Sequence, residues 1–465
     1  MNTFLLNKPP NETNPWSAYA PSEKAPWNLR RVVHLHRRAG FAATWSEIQR
    51  DLKDGSQASI DRLLSGKVRE NVPADFERVA GLLADAAVNA GDPARLKAWW
   101  VYRMLFGPDP LGERLTLMWH NHFATSNAKV DDLAAMRRQN ELFRSLGRRP
   151  FSELLTAVVR DPALLLWLDA SANRKEHPNE NLGRELLELF TLGIGNYSEA
   201  DVKDAARALT GWTVEDGEFR DIPARHDDGE KTILGKKGAW KGEDLLRILL
   251  EHPATARRLA VRLSEQFFGE GVLDNATLDS LAESLRRDKL HVGKAVEMIL
   301  RSRLFFSDKN VRTRVLSPAE YVIGAVRALE MVEPPPSTVA LADWIALLGQ
   351  DLFYPPNVFG WPGGRRWINT RSVVGRANCV AALVDGSSTA RPEPLDALGL
   401  ARRHQRGRDL KDIINFYGEL LLGAAPNPAF LGRLHKALGT KATLGSEIGR
   451  RAVVLILASP EAQLG

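Results

Sequence analysis

Apolar residues recur at the three- and four-residue spacing of an α-helix along most of the chain. In the segment 179–192 they form one stripe, composed of Leu182, Leu186, Leu189 and Phe190. This spacing predicts a helix from Asn179 to Leu192. Gly193 is expected to end that helix with a positive φ, because glycine adopts the left-handed conformation without strain.

A second helix is predicted from Glu199 to Thr210. Ser198 and Asp201 have the spacing of a capping box, in which each side chain bonds the other residue's backbone N–H. The connection 193–197 is too short for anything but a sharp reversal, so the two helices should pack as an αα-hairpin over residues 179–210. We expect this hairpin to lie in the middle of the fold.

Similar periodicity on both sides of this pair predicts a mainly α fold, a large multi-helix domain. Around residues 213–240 the pattern gives way to glycines, charges and short β-branched runs, which predicts a loop insertion with a small hairpin. We divide the chain into an extended, proline-containing arm (1–28), a helical core domain (29–390) and a C-terminal helical segment (391–465) packed on the core.

Charge and cysteine content exclude several classes of function. The 465 residues include 63 basic and 57 acidic side chains, and a net charge of +6 is small for this length, so no nucleic acid partner is expected. Arg402, Arg403, Arg406 and Arg408 form a local basic cluster that is more typical of a solvated loop. Cys379 is the only cysteine, which excludes a disulfide within the chain and a multi-cysteine metal site.

The first 27 residues show no basic region followed by an apolar run, so the sequence predicts no signal peptide. No apolar stretch reaches the roughly 18 residues that a membrane span needs. The expected location is therefore the cytoplasm, with no membrane span.

Two histidines, His120 and His122, stand two residues apart at the end of a predicted helix that begins after Asp109 and Pro110. On a helix such side chains diverge by about 200°, so both could bind one metal only if the helix ended near His120. The alternative is a buried, hydrogen-bonded histidine. A third histidine, His226, precedes Asp227 in the insertion.

One face of the first central helix carries Glu180, Arg184, Glu185 and Glu188. Such a face is usually solvated and held by ion pairs one turn apart. The alternative is a polar site.

Phosphate-binding loops, dinucleotide-binding loops, nucleophile elbows and the H-E-x-x-H zinc motif are all absent from the sequence. Aromatic residues in the loop-like segment 351–369 could line a ligand groove, although such side chains more often pin a loop to the core.

Several longer motifs resemble a bacterial family known as domain of unknown function 1800. They are WHNHFATS (119–126), HPNENLGRELLELFTLGIGNYSEADVKDAARALTGW (177–212), HDDGEKTILG (226–235) and PPNVFGWPGG (355–364), with weaker similarity in HLHRRAGF and LASPEAQ. The resemblance implies a large helical domain and no settled activity. It also implies that relatives are often exported and often encoded beside a sulfatase-like protein.

Two functional hypotheses follow. The first is a metal-assisted enzyme in which His120, His122 and His226, with Glu180 or Glu185, bind one divalent ion. In it Glu188 acts as general base and Arg184 holds the carboxylates or an anionic substrate. The second is a non-enzymatic helical scaffold or partner of the sulfatase-like protein, with the same polar residues forming a buried network.

Overall fold

The computed structural model describes residues 14–66, 68–69, 72–387, 393–439 and 444–465. Residues 1–13 of the predicted N-terminal arm and the predicted boundary between residues 390 and 391 lie outside these ranges. Within them the fold is mainly α, as predicted. No helix in the described ranges combines the length and apolarity needed to cross a bilayer.

The helices before the central pair are α1 Leu29–Ala39, α2 Trp45–Ser65, α3 Phe76–Asn89, α4 Pro93–Phe106, α5 Pro110–His122, α6 Asn127–Val130, α7 Leu133–Leu146, α8 Phe151–Val159 and α9 Pro162–Trp167. The central pair is α10 Asn181–Glu185, which continues as a π-helix over Leu186–Thr191, and α11 Glu199–Ala208. The later helices are α12 Gly242–Glu251, α13 Pro253–Phe267, α14 Asn275–Arg287, α15 Val292–Arg301, α16 Pro318–Ala328, α17 Thr338–Leu347, α18 Thr370–Asp385, α19 Ala397–Arg403, α20 Leu410–Leu422, α21 Pro428–Leu438 and α22 Ser446–Ala458.

The insertion after α11 forms two small antiparallel hairpins where a single one was expected. Strand β1 (Trp212–Glu215) pairs with β2 (Glu218–Asp221), and β3 (Lys231–Ile233) pairs with β4 (Lys236–Gly238). Asp216 and Gly217, which join the first pair, both have positive φ. That backbone matches the twist of a two-residue hairpin turn, for which Asp-Gly is a strong signal.

Helix α5 lies between two hydrophobic clusters. Leu117 packs with the cluster that includes residues of α1, α4, α16, α18 and α22. Leu115 and Met118 pack with the cluster that includes residues of α8, α11, α13, α15 and the π-helix. Its side chains therefore reach both halves of the core and the space between them.

The predicted central hairpin is present. Helices α10 and α11 pack closely because Gly183 lacks a side chain, and a Cβ there would lie 3.0 Å from the Ala206 backbone nitrogen. The Ser198–Asp201 capping box is formed, and Gly193 has a φ of +84°. The first helix begins at residue 181 instead of 179, because the Asn179 side chain accepts a hydrogen bond from the Asn181 N–H and so caps it from outside.

The second half of the first central helix differs from the prediction because it is a π-helix. The Thr191 hydroxyl donates to the Leu186 carbonyl at 2.5 Å, and the Leu192 and Gly193 N–H groups both donate to the Leu187 carbonyl. Such a wide turn changes little in a short apolar stripe, so a 3.6-residue pattern does not reveal it. π-Helical turns occur frequently at functional sites.

Candidate functional site

Helix α5 separates the two histidines predicted to share a metal. The helix continues to His122, so His120, Asn121 and His122 point in three different directions. The ring of His120 lies among those of Trp100, Phe353 and Trp361, whose centres are 5.4, 5.6 and 5.4 Å from its own. Burial lowers the pKa of His120 to about 3, so its ring is neutral at physiological pH.

His122 is the buried, hydrogen-bonded histidine that the sequence offered as an alternative. Its Nε2 lies 3.2 Å from the carbonyl oxygen of Phe190 in the π-helix, an acceptor that requires the proton on Nε2. Burial, with Arg262 and Arg258 nearby, lowers the pKa of His122 well below its usual value. This neutral ring links α5 to the π-helix.

The third histidine, His226, lies in the insertion. Its Nδ1 is 2.9 Å from the Thr210 carbonyl oxygen, and neighbouring Asp227 pairs with Arg207 at 2.7 Å. The structure thus gives each of the three histidines a different set of neighbours. Across the described ranges, no three His, Cys, Asp or Glu side chains form a group that could hold a metal ion. The five predicted ligands, His120, His122, His226, Glu180 and Glu185, are not brought together, because they lie on different elements and different helix faces.

The predicted anion-holding group, Arg184, is occupied by carboxylates of the central hairpin. Its guanidinium makes two bonds to Glu199, at 2.9 and 2.7 Å, and one to Glu180 at 2.9 Å. The predicted general base, Glu188, accepts a hydrogen bond from the Tyr197 hydroxyl. Arg184, Glu180 and Glu188 therefore tie α10 and the π-helix to the start of α11.

Glu185 differs from these neighbours because no hydrogen bond or ion pair engages it in the described part of the chain. Burial, reinforced by the charge of Glu188, raises the pKa of Glu185 to about 7. The folded protein keeps this proton up to about pH 7, whereas an unfolded chain releases it near its ordinary value of 4.5. Stability contributed by the protonated group is therefore lost as the pH rises from about 4.5 to 7.

We expect Glu185→Gln to be more stable than the wild type at pH 8 and equally stable at pH 4.5, since glutamine never acquires the buried charge. Thermal unfolding at both pH values measures this, and Glu176→Gln is the control because Glu176 is exposed. Equal melting temperatures for wild type and Glu185→Gln at pH 8 would show that ionisation of Glu185 does not destabilise the folded protein.

A separate polar cleft of about 680 Å³ lies along α5. That volume is within the ~300–1,000 Å³ typical of small-molecule sites. Arg114, Leu117, Met118 and Asn121 line it from α5, where their spacing places them on one face. The other walls come from the end of α13, the start of α16 and the loop 350–367.

This loop is fixed to α5 by Asn121. The Trp361 N–H donates to Asn121 Oδ1 at 2.6 Å, and Gly360 beside it has a φ of +84°. A Cβ at Gly360 would lie 2.2 Å from Asn121 Oδ1 and 2.6 Å from the Asn121 carbonyl oxygen, so only glycine permits the approach. The cleft therefore joins the WHNHFATS and PPNVFGWPGG motifs.

The inner wall of the cleft holds two guanidinium groups on one carboxylate oxygen. Arg114 and Arg314 both contact Glu320 Oε1, while Glu320 Oε2 accepts from the Ser317 N–H at 2.7 Å. The Arg114 and Glu320 side chains are each 2% exposed. Burial would raise the pKa of Glu320, but the two arginines lower it to about 2, so the carboxylate is charged.

Positive charge is in excess at this point. Burial lowers the pKa of Arg114 to about 10 despite the contact with Glu320, and repulsion by Arg314 adds to the effect. Behind them, Arg38 is fully buried and bonds the carbonyl oxygens of Phe267 and Asn310. Glu320 thus balances only part of the cationic charge gathered around it.

At the outer part of the cleft, Arg262 pairs with Glu265 at 3.0 Å. Arg366 lines the cleft, is exposed and has no ion-pair partner among the described residues. In total four arginines and three glutamates line the cleft, and both Arg114 and Arg314 depend on a single glutamate.

Sequence reasoning did not identify Arg114, Asn121, Arg314, Glu320 or Arg366 as site residues. Two signals for them were present: the i, i+7 spacing of Arg114 and Asn121, and a capping-box pattern in Ser317–Glu320 that α16 forms. The expectation for the aromatic loop was also incomplete. Trp361 and Trp367 do pin the loop, as favoured, but the loop lines a cleft as well.

A family model described as "Protein of unknown function (DUF1800)" matches residues 34–464. No curated protein and no solved structure matches the chain significantly. The family match covers every residue that lines the cleft. Functional conclusions therefore depend on the geometry of the site.

Proposed function

The chain belongs to the DUF1800 family of proteins of unknown function, and from the geometry of its cleft we propose that it binds a small ligand carrying an oxyanion, such as a phosphate or carboxylate group. The observation that carries this proposal is the sharing of Glu320 Oε1 by Arg114 and Arg314 at the inner wall. A bound anion would supply the missing negative charge.

Burying a charge without a full counter-charge costs roughly several kcal/mol of folding free energy. An incompletely balanced pair of arginines is therefore expected where a bound ligand supplies the remaining negative charge. Guanidinium groups bind carboxylates and phosphates with paired, charge-assisted hydrogen bonds. The start of α16, where Ser317 lines the cleft, adds the partial positive charge of a helix N-terminus. Arg366 offers a further donor at the outer wall.

The metal-assisted enzyme stays a prediction for this chain. Its proposed ligands have separate neighbours, so the cleft, and not the central hairpin, is the better supported site. Elemental analysis after incubation with zinc, iron and manganese checks that hypothesis directly.

The scaffold hypothesis stays a prediction. Arg184 bonds Glu180 and Glu199, and Arg207 bonds Asp204 and Asp227, but these ion pairs are partly exposed, whereas the hypothesis calls for a buried network. A sulfatase-like partner stays a prediction, and co-purification from cells that express both proteins would test it.

Calorimetric titration with inorganic phosphate tests the proposed function. We expect the wild type to bind phosphate and Arg366→Gln to bind it at least about 10-fold more weakly, since hydrogen bonds to charged groups contribute roughly 1.5–3 kcal/mol. Arg366 is exposed, so the substitution should leave the fold intact.

Arg365→Gln is the matched control. Arg365 is also exposed, precedes Arg366 directly and does not line the cleft. Its substitution removes the same charge and should change phosphate affinity less than twofold at ~0.15 M salt, where charges more than about 8 Å apart are screened. Equal weakening by both substitutions, or no binding by the wild type, would contradict the proposal.

A further inference from the structure

Phe359 is exposed at the rim of the cleft, in contrast to the other aromatic residues of its loop. It is 66% exposed, whereas Phe353, Trp361 and Trp367 are almost completely buried. Those three rings suffice to pin the loop to the core. Phe359 also lines the cleft, and an apolar ring beside a few convergent polar groups is a common feature of binding sites.

The turn that carries Phe359 is held firmly. Its N–H donates to Asn357 Oδ1 at 3.0 Å, the Gly360 N–H donates to the Asn357 carbonyl at 3.1 Å, and Trp361 is bonded to Asn121. The ring is thus presented from a fixed backbone. A preorganised surface loses little conformational entropy when a ligand packs against it.

The ring and the arginines lie within the span of one small molecule. Arg114 and Asn121 are seven residues apart on α5, about 10 Å along the helix axis. Asn121 holds the turn of Phe359 at one end, and Arg114 meets Glu320 at the other. Between them, Leu117 and Met118 provide an apolar floor.

We infer that the ligand joins its oxyanion to a ring with an apolar face, which stacks on Phe359 while the anionic group reaches the arginines. This inference rests on the proposed function. Aryl phosphates and sugar phosphates share this chemistry, because aromatic side chains pack on flat aryl rings and on the apolar faces of sugars.

The test compares three phosphate monoesters that carry the same anionic group: methyl phosphate, phenyl phosphate and glucose 6-phosphate. In the wild type we expect at least one ring-bearing ester to bind about 3- to 10-fold more tightly than methyl phosphate. In Phe359→Ala that advantage should disappear while the affinity for methyl phosphate stays the same. Phe359→Trp should retain it. The ester that shows the advantage identifies the ring as aryl or sugar.

Ile194→Ala is the control, because Ile194 is 77% exposed and lies outside the cleft. If methyl phosphate binds but neither ring improves affinity, or if the advantage survives in Phe359→Ala, the inference is wrong and the proposed function stands. If no phosphate ester binds to the wild type, the proposed function and the inference fail together.

Discussion

Glu320→Gln is expected to destabilise the protein by about 3–5 kcal/mol, the usual cost of removing one partner from a buried ion pair. The Glu320 side chain is buried and provides the oxygen that both Arg114 and Arg314 contact. Its loss would leave the buried Arg114 guanidinium and the partly buried Arg314 guanidinium without a carboxylate in contact. Urea denaturation at pH 7 measures the change in the free energy of unfolding.

The pH dependence gives an internal check. The folded-state pKa of Glu320, about 2, lies below its ordinary value of 4.5. Its contribution to stability is therefore present above about pH 4.5 and is lost as the pH falls towards 2. The difference between wild type and Glu320→Gln should shrink over that interval.

Phosphate should partly restore the stability of Glu320→Gln, because an anion in the cleft can replace the lost carboxylate. We expect phosphate at roughly 10 mM to raise the melting temperature of the variant more than that of the wild type. Glu265→Gln is the control, since Glu265 pairs only with Arg262 among the residues that the structure describes and is partly exposed. The Glu265→Gln substitution should lower the free energy of unfolding by about 1 kcal/mol or less. Similar losses in the two variants would contradict the assignment of Glu320 as the shared counter-charge.

Gly360→Val should detach the loop 350–367 from α5 and abolish phosphate binding. Valine would have to adopt a φ of +84° and place its Cβ 2.2 Å from Asn121 Oδ1. The backbone strain alone costs roughly 1–3 kcal/mol, and the clash should break the bond between Trp361 and Asn121. Thermal unfolding and phosphate titration of the same sample measure both effects.

Gly195→Val is the control that introduces backbone strain without a steric clash. Gly195 has a similar φ of +88°, but a Cβ there would have no neighbour within 4 Å. This control should lose a comparable amount of stability from strain and keep its phosphate affinity. Retained phosphate affinity in Gly360→Val would mean that docking of the loop on Asn121 does not shape the cleft.

Elements determined by neighbouring residues were predictable from the sequence. Asp109 and Pro110 start α5, Ser198 and Asp201 cap α11, and Gly193 ends the first central helix, each through contacts within a few residues. The mainly α fold follows from the sum of such signals. The π-helix was missed because one wide turn changes little in a short apolar stripe, and its contact with His122 joins residues that are distant in sequence.

The cleft was not predictable for a related reason. Arg114, Arg314 and Arg366 are separated by up to 252 residues (from 114 to 366) and line one cleft only in the folded chain. The capping-box spacing of Ser317 and Glu320 predicts a helix start, but it does not indicate that Arg114 and Arg314 share this carboxylate. By contrast, the metal-site hypothesis rested on histidines and glutamates that are close in sequence near residues 120 and 180. In the structure, α5 directs His120 and His122 into different parts of the core.

Anomalous diffraction from a crystal soaked in selenate, an oxyanion with a heavy scatterer, would locate the bound anion. We expect a selenium peak in the cleft, within hydrogen-bond distance of the Arg314 or Arg366 guanidinium, and a weaker peak there in Arg366→Gln. Selenate bound only elsewhere, for example along the basic segment 402–408, with the cleft free of selenium, would contradict it.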